Sequence, residues 1–116
     1  MEIIFLTLQE VKIINFTQID QYGGLCGMRD EKLLDSAINY PQATFNGRYL
    51  HPDIYHMASA YMYAIIKNHP FLDGNKRTGF ITTIFFLAYN NITLIADHNE
   101  LFMLAIAIAE SKMNES

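Results

Sequence analysis

Residues 75 to 89 constrain the fold more than any other stretch of this chain. Phe80, Ile81, Ile84, Phe85, Phe86, Leu87 and Ala88 leave the segment apolar on nearly all sides. A helix of that composition buries itself in the middle of a bundle rather than lying on its surface. Directly ahead of it stands His69-Pro70-Phe71-Leu72-Asp73-Gly74-Asn75-Lys76-Arg77-Thr78-Gly79, a turn-sized segment carrying an imidazole, a carboxylate, an amide and two cations. Burying the helix fixes its N-terminal end, and that end carries the chemistry.

The layout is that of an anion site. A helix start leaves backbone N–H groups unpaired and carries the positive end of the helix dipole, so a phosphate placed there meets donors and a favourable field together. Gly74, Asn75, Lys76 and Arg77 are the candidate phosphate-binding residues, Lys76 supplying a mobile charge and Arg77 a fork-shaped one. Asp73 offers hard oxygen to a divalent cation such as Mg2+, the usual companion of nucleotide phosphates. His69 is the group here whose unperturbed pKa lies nearest neutrality, which suits a general base. Phe71, an apolar ring among polar neighbours, is expected to anchor the loop from beneath.

These residues carry a resemblance. The segment is similar to the signature of the Fic/Doc superfamily, H-x-F-x-[DE]-G-N-x-R-x-x-R in Fic proteins and H-x-F-x-[DN]-[AG]-N-K-R in the death-on-curing (Doc) toxins. His69, Phe71, Asp73, Gly74, Asn75, Lys76 and Arg77 fit the Doc form, whereas the second arginine of the Fic form is replaced by Phe80. Tyr22-Gly23-Gly24, Gly27-Met28-Arg29-Asp30 and Pro41-Gln42-Ala43-Thr44 resemble further Doc-like segments. The resemblance implies an all-α, compact Fic-like bundle. It also implies a general-base role for His69, ATP or another nucleoside triphosphate as co-substrate with Mg2+, a translation factor such as elongation factor Tu as target, and a Phd-like antitoxin as partner.

Composition is consistent with one domain over residues 1–116. A hydrophobic fraction of 51% with 15 Tyr and Phe residues supports a packed globule. With 8 Lys+Arg against 12 Asp+Glu, the net charge of -4 disfavours a nucleic-acid surface. Cys26 is the single cysteine, so neither an internal disulfide nor a cysteine zinc site can form. His51 and His56, five apart, fall on different sides of a helix and do not read as a metal pair. The start of the chain lacks the basic segment of a signal peptide, and the apolar runs are too short to cross a bilayer. A cytoplasmic protein without a membrane partner is therefore expected.

Along the chain, Ile3 to Leu6 is expected as an edge strand or an extended lead-in. Thr7-Leu8-Gln9-Glu10 has capping-box form and opens a first helix that runs to about Gln21, with Leu8, Val11, Ile14 and Ile19 facing inward. Asp30 is expected to cap a second helix, closed by Pro41 at about Asn39, and Arg29 is either its flanking charge or a residue near the protein substrate. Residues 40 to 51 read as a loop or short hairpin, which the resemblance makes a flap bordering the active site. Pro52 and Asp53 suit the first turn of a third helix carrying Tyr55, Ala58, Met62, Ile65 and Ile66. Beyond the apolar helix, Ile92 to Ile95 is expected as an extended piece pairing with residues 3 to 6. Asp97 is expected to cap a last helix with Leu101, Leu104, Ala105 and Ile108 inward.

Three functions fit. The first is a Doc-like kinase moving a phosphoryl group to a protein hydroxyl. The second is a Fic-type adenylyltransferase, in which two arginines hold the triphosphate so that its α-phosphorus is attacked. The third is an inactive interaction module, which the intact His69 and Asp73 argue against. Phe80 cannot serve as the second arginine, and this favours the kinase.

Overall fold

The computed structural model describes residues 2–93. Four α-helices and one small hairpin make up these residues, an all-α architecture. Helix α1 spans Leu8–Tyr22, α2 Glu31–Asn39, α3 Ile54–Asn68 and α4 Asn75–Tyr89. A 3-10 turn at Tyr40–Gln42 follows α2.

Side-chain caps set three of the four helix starts. At α1, Thr7 and Glu10 form the reciprocal capping box, each side chain bonding the other's backbone N–H. Asp30 caps α2 through Lys32 and Leu33, and Asp53 caps α3 through Tyr55 and His56. The sequence had suggested Pro52 and Asp53 inside the first turn of α3. Asp53 instead sits at the cap with extended backbone and Pro52 lies outside the helix, because a carboxylate satisfies two orphan N–H groups only from the cap position.

Residues 44 to 49 form a hairpin rather than a loop, β1 Thr44–Phe45 pairing antiparallel with β2 Arg48–Tyr49. Its turn residues Asn46 and Gly47 both take positive φ, 53° and 76°, the requirement of the two-residue turn that matches strand twist. Both strands are exposed.

Ile3 to Leu6 is an extended lead-in, not a strand. Its backbone is held by a side chain: Asn90, just past α4, accepts from the Ile4 N–H and donates to the Ile4 carbonyl, both at 2.9 Å. Leu6 then enters the core, its N–H donating to the hydroxyl of fully buried Tyr61 at 3.0 Å. Burial pushes that phenol up to about 12. Of the extended piece expected at 92 to 95, Ile92 and Thr93 are irregular and the rest lies outside the described residues, as does the helix expected after Asp97.

The core joins Leu6, Val11 and Ile14 to Leu34, Ala37 and Ile38 of α2, Met57, Tyr61 and Ile65 of α3, and Phe86 and Leu87 of α4. Helices α3 and α4 pack closely where Gly79 faces α3; a Cβ there would stand 3.3 Å from Ile66 Cγ1 and 3.4 Å from the Met62 carbonyl oxygen. Among described residues α4 buries Thr78, Gly79, Phe80, Thr82, Thr83, Phe86 and Leu87, while Phe85 and Tyr89 stay exposed. Its buried face is thus narrower than its composition suggests, and threonines share it. Thr83 can do so because its hydroxyl returns to the Gly79 carbonyl at 2.9 Å.

Candidate active site

The loop between α3 and α4 is set first by its two ends. His69 is the C-cap of α3 in left-handed conformation, φ 51° and ψ 54°, its N–H bonded to the Ile65 carbonyl. That conformation costs a non-glycine residue about 1–2 kcal/mol, so surrounding contacts must hold it. The imidazole is exposed. At the other end Gly74 is the N-cap of α4, also left-handed, and no side chain caps this helix. The first intrahelical bond runs from the Thr78 N–H to the Gly74 carbonyl at 2.8 Å. The preceding N–H groups, those of Asn75, Lys76 and Arg77, form the first turn of the helix, where the positive end of its dipole lies.

Between these ends the loop is pinned from within. Phe71 is buried at 1% exposure. The Asn75 side chain closes a ring on it, accepting from the Phe71 N–H at 2.9 Å and donating to the Phe71 carbonyl at 3.0 Å. Asn75 is itself only 3% exposed. Its amide thus frames the loop, while its backbone N–H opens α4. Lys76 is exposed and Arg77 half-buried. The Arg77 guanidinium lies 4.4 Å from the centre of the Tyr22 ring, a cation–π contact that fixes where the fork stands.

A second loop, residues 23 to 30, braces the first from outside. The Pro70 carbonyl accepts from the N–H groups of Arg29 and Asp30 at 2.7 and 3.0 Å, and the Leu72 N–H donates to the Gly27 carbonyl at 3.0 Å. Met28 and Phe71 form an isolated antiparallel bridge. The Leu25 N–H donates to Asp73 Oδ2 at 2.8 Å. Gly24, at φ 120°, lets the loops approach: a Cβ there would meet Asp73 Cβ and Oδ2 at 3.2 Å.

Two further residues join the site, Asn15, which the sequence pattern did not single out, and Arg29, which it gave other roles. Asn15, 3% exposed on the inner face of α1, donates to the Asp73 carbonyl at 2.9 Å and to Thr78 Oγ1 at 3.1 Å. Arg29 reaches the end of α3, Nε donating to the His69 carbonyl at 2.6 Å and Nη2 to the Asn68 carbonyl at 2.9 Å. The only signal for Asn15 was a polar residue interrupting an apolar face. Tyr22, noted only as part of a Doc-like segment that ends the first helix, is a partner of Arg77.

His69, Asp73, Gly74, Asn75, Lys76 and Arg77 are thus brought onto one loop and one helix start. Among described residues no group of three or more His, Cys, Asp or Glu side chains could enclose a metal. A magnesium ion needs no such cage when substrate phosphates supply its other ligands. The Asp73 carboxylate has about four lone-pair sites, so its bond to Leu25 leaves capacity for one. A helix start that no side chain caps, beside an exposed histidine and a carboxylate with hard oxygens, has the parts a phosphate-transfer site needs.

The chain belongs to the Fic/DOC family, whose model matches residues 5–87. It is 37% identical over 94 residues to "Toxin Doc" of Mycolicibacterium smegmatis, covering 81% of this chain and 68% of that protein. It is 29% identical over 108 residues to "Protein kinase doc" of Escherichia phage P1, covering 93% of this chain and 84% of that one. Among the described residues no helix is long and apolar enough to cross a membrane.

Proposed function

We propose that this chain is a Doc-like toxin that transfers the γ-phosphoryl group of a nucleoside triphosphate to a hydroxyl side chain of a target protein. The single observation that favours phosphate over AMP transfer is position 80. Where the Fic pattern carries its second arginine, this chain has Phe80, 4% exposed in the core. Arg77 is then the one motif arginine at the helix start, and the names of both relatives agree with a Doc-type protein.

In this reading the uncapped start of α4, with Lys76 and Arg77, binds the phosphates and neutralises charge that spreads over the transferring group. Asp73 would hold Mg2+, which supplies neutralisation of the phosphate oxygens when bound. His69, held at the loop's entrance, takes the proton of the attacking hydroxyl. The new bond forms between that oxygen and the γ-phosphorus, the bond from the γ-phosphorus to its bridging oxygen breaks, and the nucleoside diphosphate leaves. Positioning and charge are the main demands of such a reaction, and a cross-braced loop anchored by buried Phe71 suits them. A translation factor such as elongation factor Tu is the proposed acceptor, and a Phd-like antitoxin the proposed inhibitor.

ATP labelled in its γ- or its α-phosphate tests the reaction. With the purified protein and elongation factor Tu, the γ-label is expected to appear on the target and the α-label is not. Transfer of the α-label would establish AMP transfer instead.

A further inference from the structure

We infer that Arg29 is a positioning residue for His69. The inference rests on the functional reading above, in which His69 is the base. Arg29 lies outside the motif, 40 residues before His69, on the loop that leads into α2. Its backbone N–H holds the Pro70 carbonyl at 2.7 Å while its side chain holds the carbonyls of Asn68 and His69 at 2.9 and 2.6 Å. One residue therefore grips three consecutive carbonyls at the point where α3 stops and the catalytic loop begins.

The last carbonyls of a helix lack intrahelical donors, and a cation there meets the negative end of the dipole. A guanidinium offers two parallel N–H groups of fixed geometry, so gripping adjacent carbonyls sets the orientation of the two peptide planes that flank the Cα between them. That Cα is that of His69, whose left-handed backbone aims the imidazole, and glycine is not there to adopt this conformation freely. The side chain is exposed, so the role does not depend on filling the core. Asp30 next door caps α2 separately. Arg29 thereby ties the aim of His69 to the same loop that fixes Asp73 through Leu25.

The test compares Arg29→Gln and Arg29→Lys with the wild type, reading kcat and the KM values for nucleotide and target protein separately, together with melting temperature. A misplaced reacting group costs up to roughly 100-fold in rate. Arg29→Gln is therefore expected to lower kcat about 10- to 100-fold with both KM values within about twofold. Arg29→Lys, which reaches the carbonyls without the fork, recovers part of the rate. If the glutamine variant does not fold, the lysine variant carries the test through its intermediate kcat. Both variants keeping the wild-type kcat would overturn the inference, as would a raised KM for the target at unchanged kcat, which would make Arg29 a substrate contact. A wild type that transfers nothing would overturn the functional reading itself, an outcome distinct from either.

Discussion

The side-chain amide of Asn15 bonds the carbonyl of Asp73 at 2.9 Å, joining the inner face of α1 to the loop residue expected to hold the metal. The same nitrogen reaches Thr78 Oγ1 in the first turn of α4, so one buried group spans loop and helix start. Replacing it strips a donor from two polar atoms, one of them on fully buried Thr78. Asn15→Ala is expected to cost about 1–3 kcal/mol of stability, the range for leaving buried polar groups unpaired. Urea unfolding measures this. A loss below about 0.5 kcal/mol would show that water replaces the amide without cost.

For Asp73→Asn the expectation is weaker Mg2+ binding in the presence of nucleotide and strongly reduced transfer, because a neutral amide is a poorer ligand for a hard cation. The bond from Leu25 to Oδ2 can be kept by the asparagine oxygen, so melting temperature is expected to change little. Calorimetric titration separates the two effects. Unchanged metal affinity would make Asp73 only a brace between the loops.

Stability is expected to depend on pH through Glu10 and Tyr89. The Tyr89 hydroxyl donates to the Glu10 carboxylate across the ends of α4 and α1, and Glu10 also accepts from the Thr7 N–H. Those bonds, that from Tyr89 foremost, hold the Glu10 carboxyl below its usual range; the same contact raises the Tyr89 phenol. A carboxylate with lowered folded pKa contributes stability that is present above its unfolded value, about 4.3, and is lost as pH falls through the folded value. The raised phenol contributes below its unfolded value, about 10, and loses its share as pH rises through the folded one. Glu10→Ala is therefore expected to cost about 1 kcal/mol at pH 7, the size of a helix cap, and less near pH 3. Denaturant midpoints at the two pH values check it, and an equal loss at both would exclude the ionised carboxylate as the cause.

Much of this was readable from the chain, and the remainder was unreadable for a physical reason. The capping box at Thr7, the cap at Asp30 and the short hairpin within residues 40 to 51 depend on neighbours a few residues away, and the structure has all three. The loop from His69 to Arg77 was recognisable because its chemistry is contiguous. Asn15 and Arg29 act on carbonyls 58 and 40 residues distant, and nothing in a local pattern says which backbone will arrive there. Asn75, whose place in the motif suggests a phosphate ligand, also has a structural task the motif does not reveal, its amide engaging Phe71.

Phe80→Arg bears on the choice between phosphate and AMP transfer. Position 80 is buried, so the new guanidinium is expected to cost roughly 3–5 kcal/mol as an uncompensated buried charge. Melting temperature and product mass are read together. A stable variant that transfers phosphate at the wild-type rate would show that position 80 does not set the chemistry.

In the proposed reaction His69 drives phosphoryl transfer to a protein hydroxyl. Intact-mass spectrometry of elongation factor Tu after incubation with ATP, Mg2+ and either wild type or His69→Ala tests it most directly. The wild type is expected to add the mass of one phosphate. The variant, folded to the same melting temperature, is expected to do so about 100- to 10,000-fold more slowly, the usual cost of removing a general base. Addition of an AMP mass by the wild type, or more than half of the wild-type rate in His69→Ala, would contradict the account.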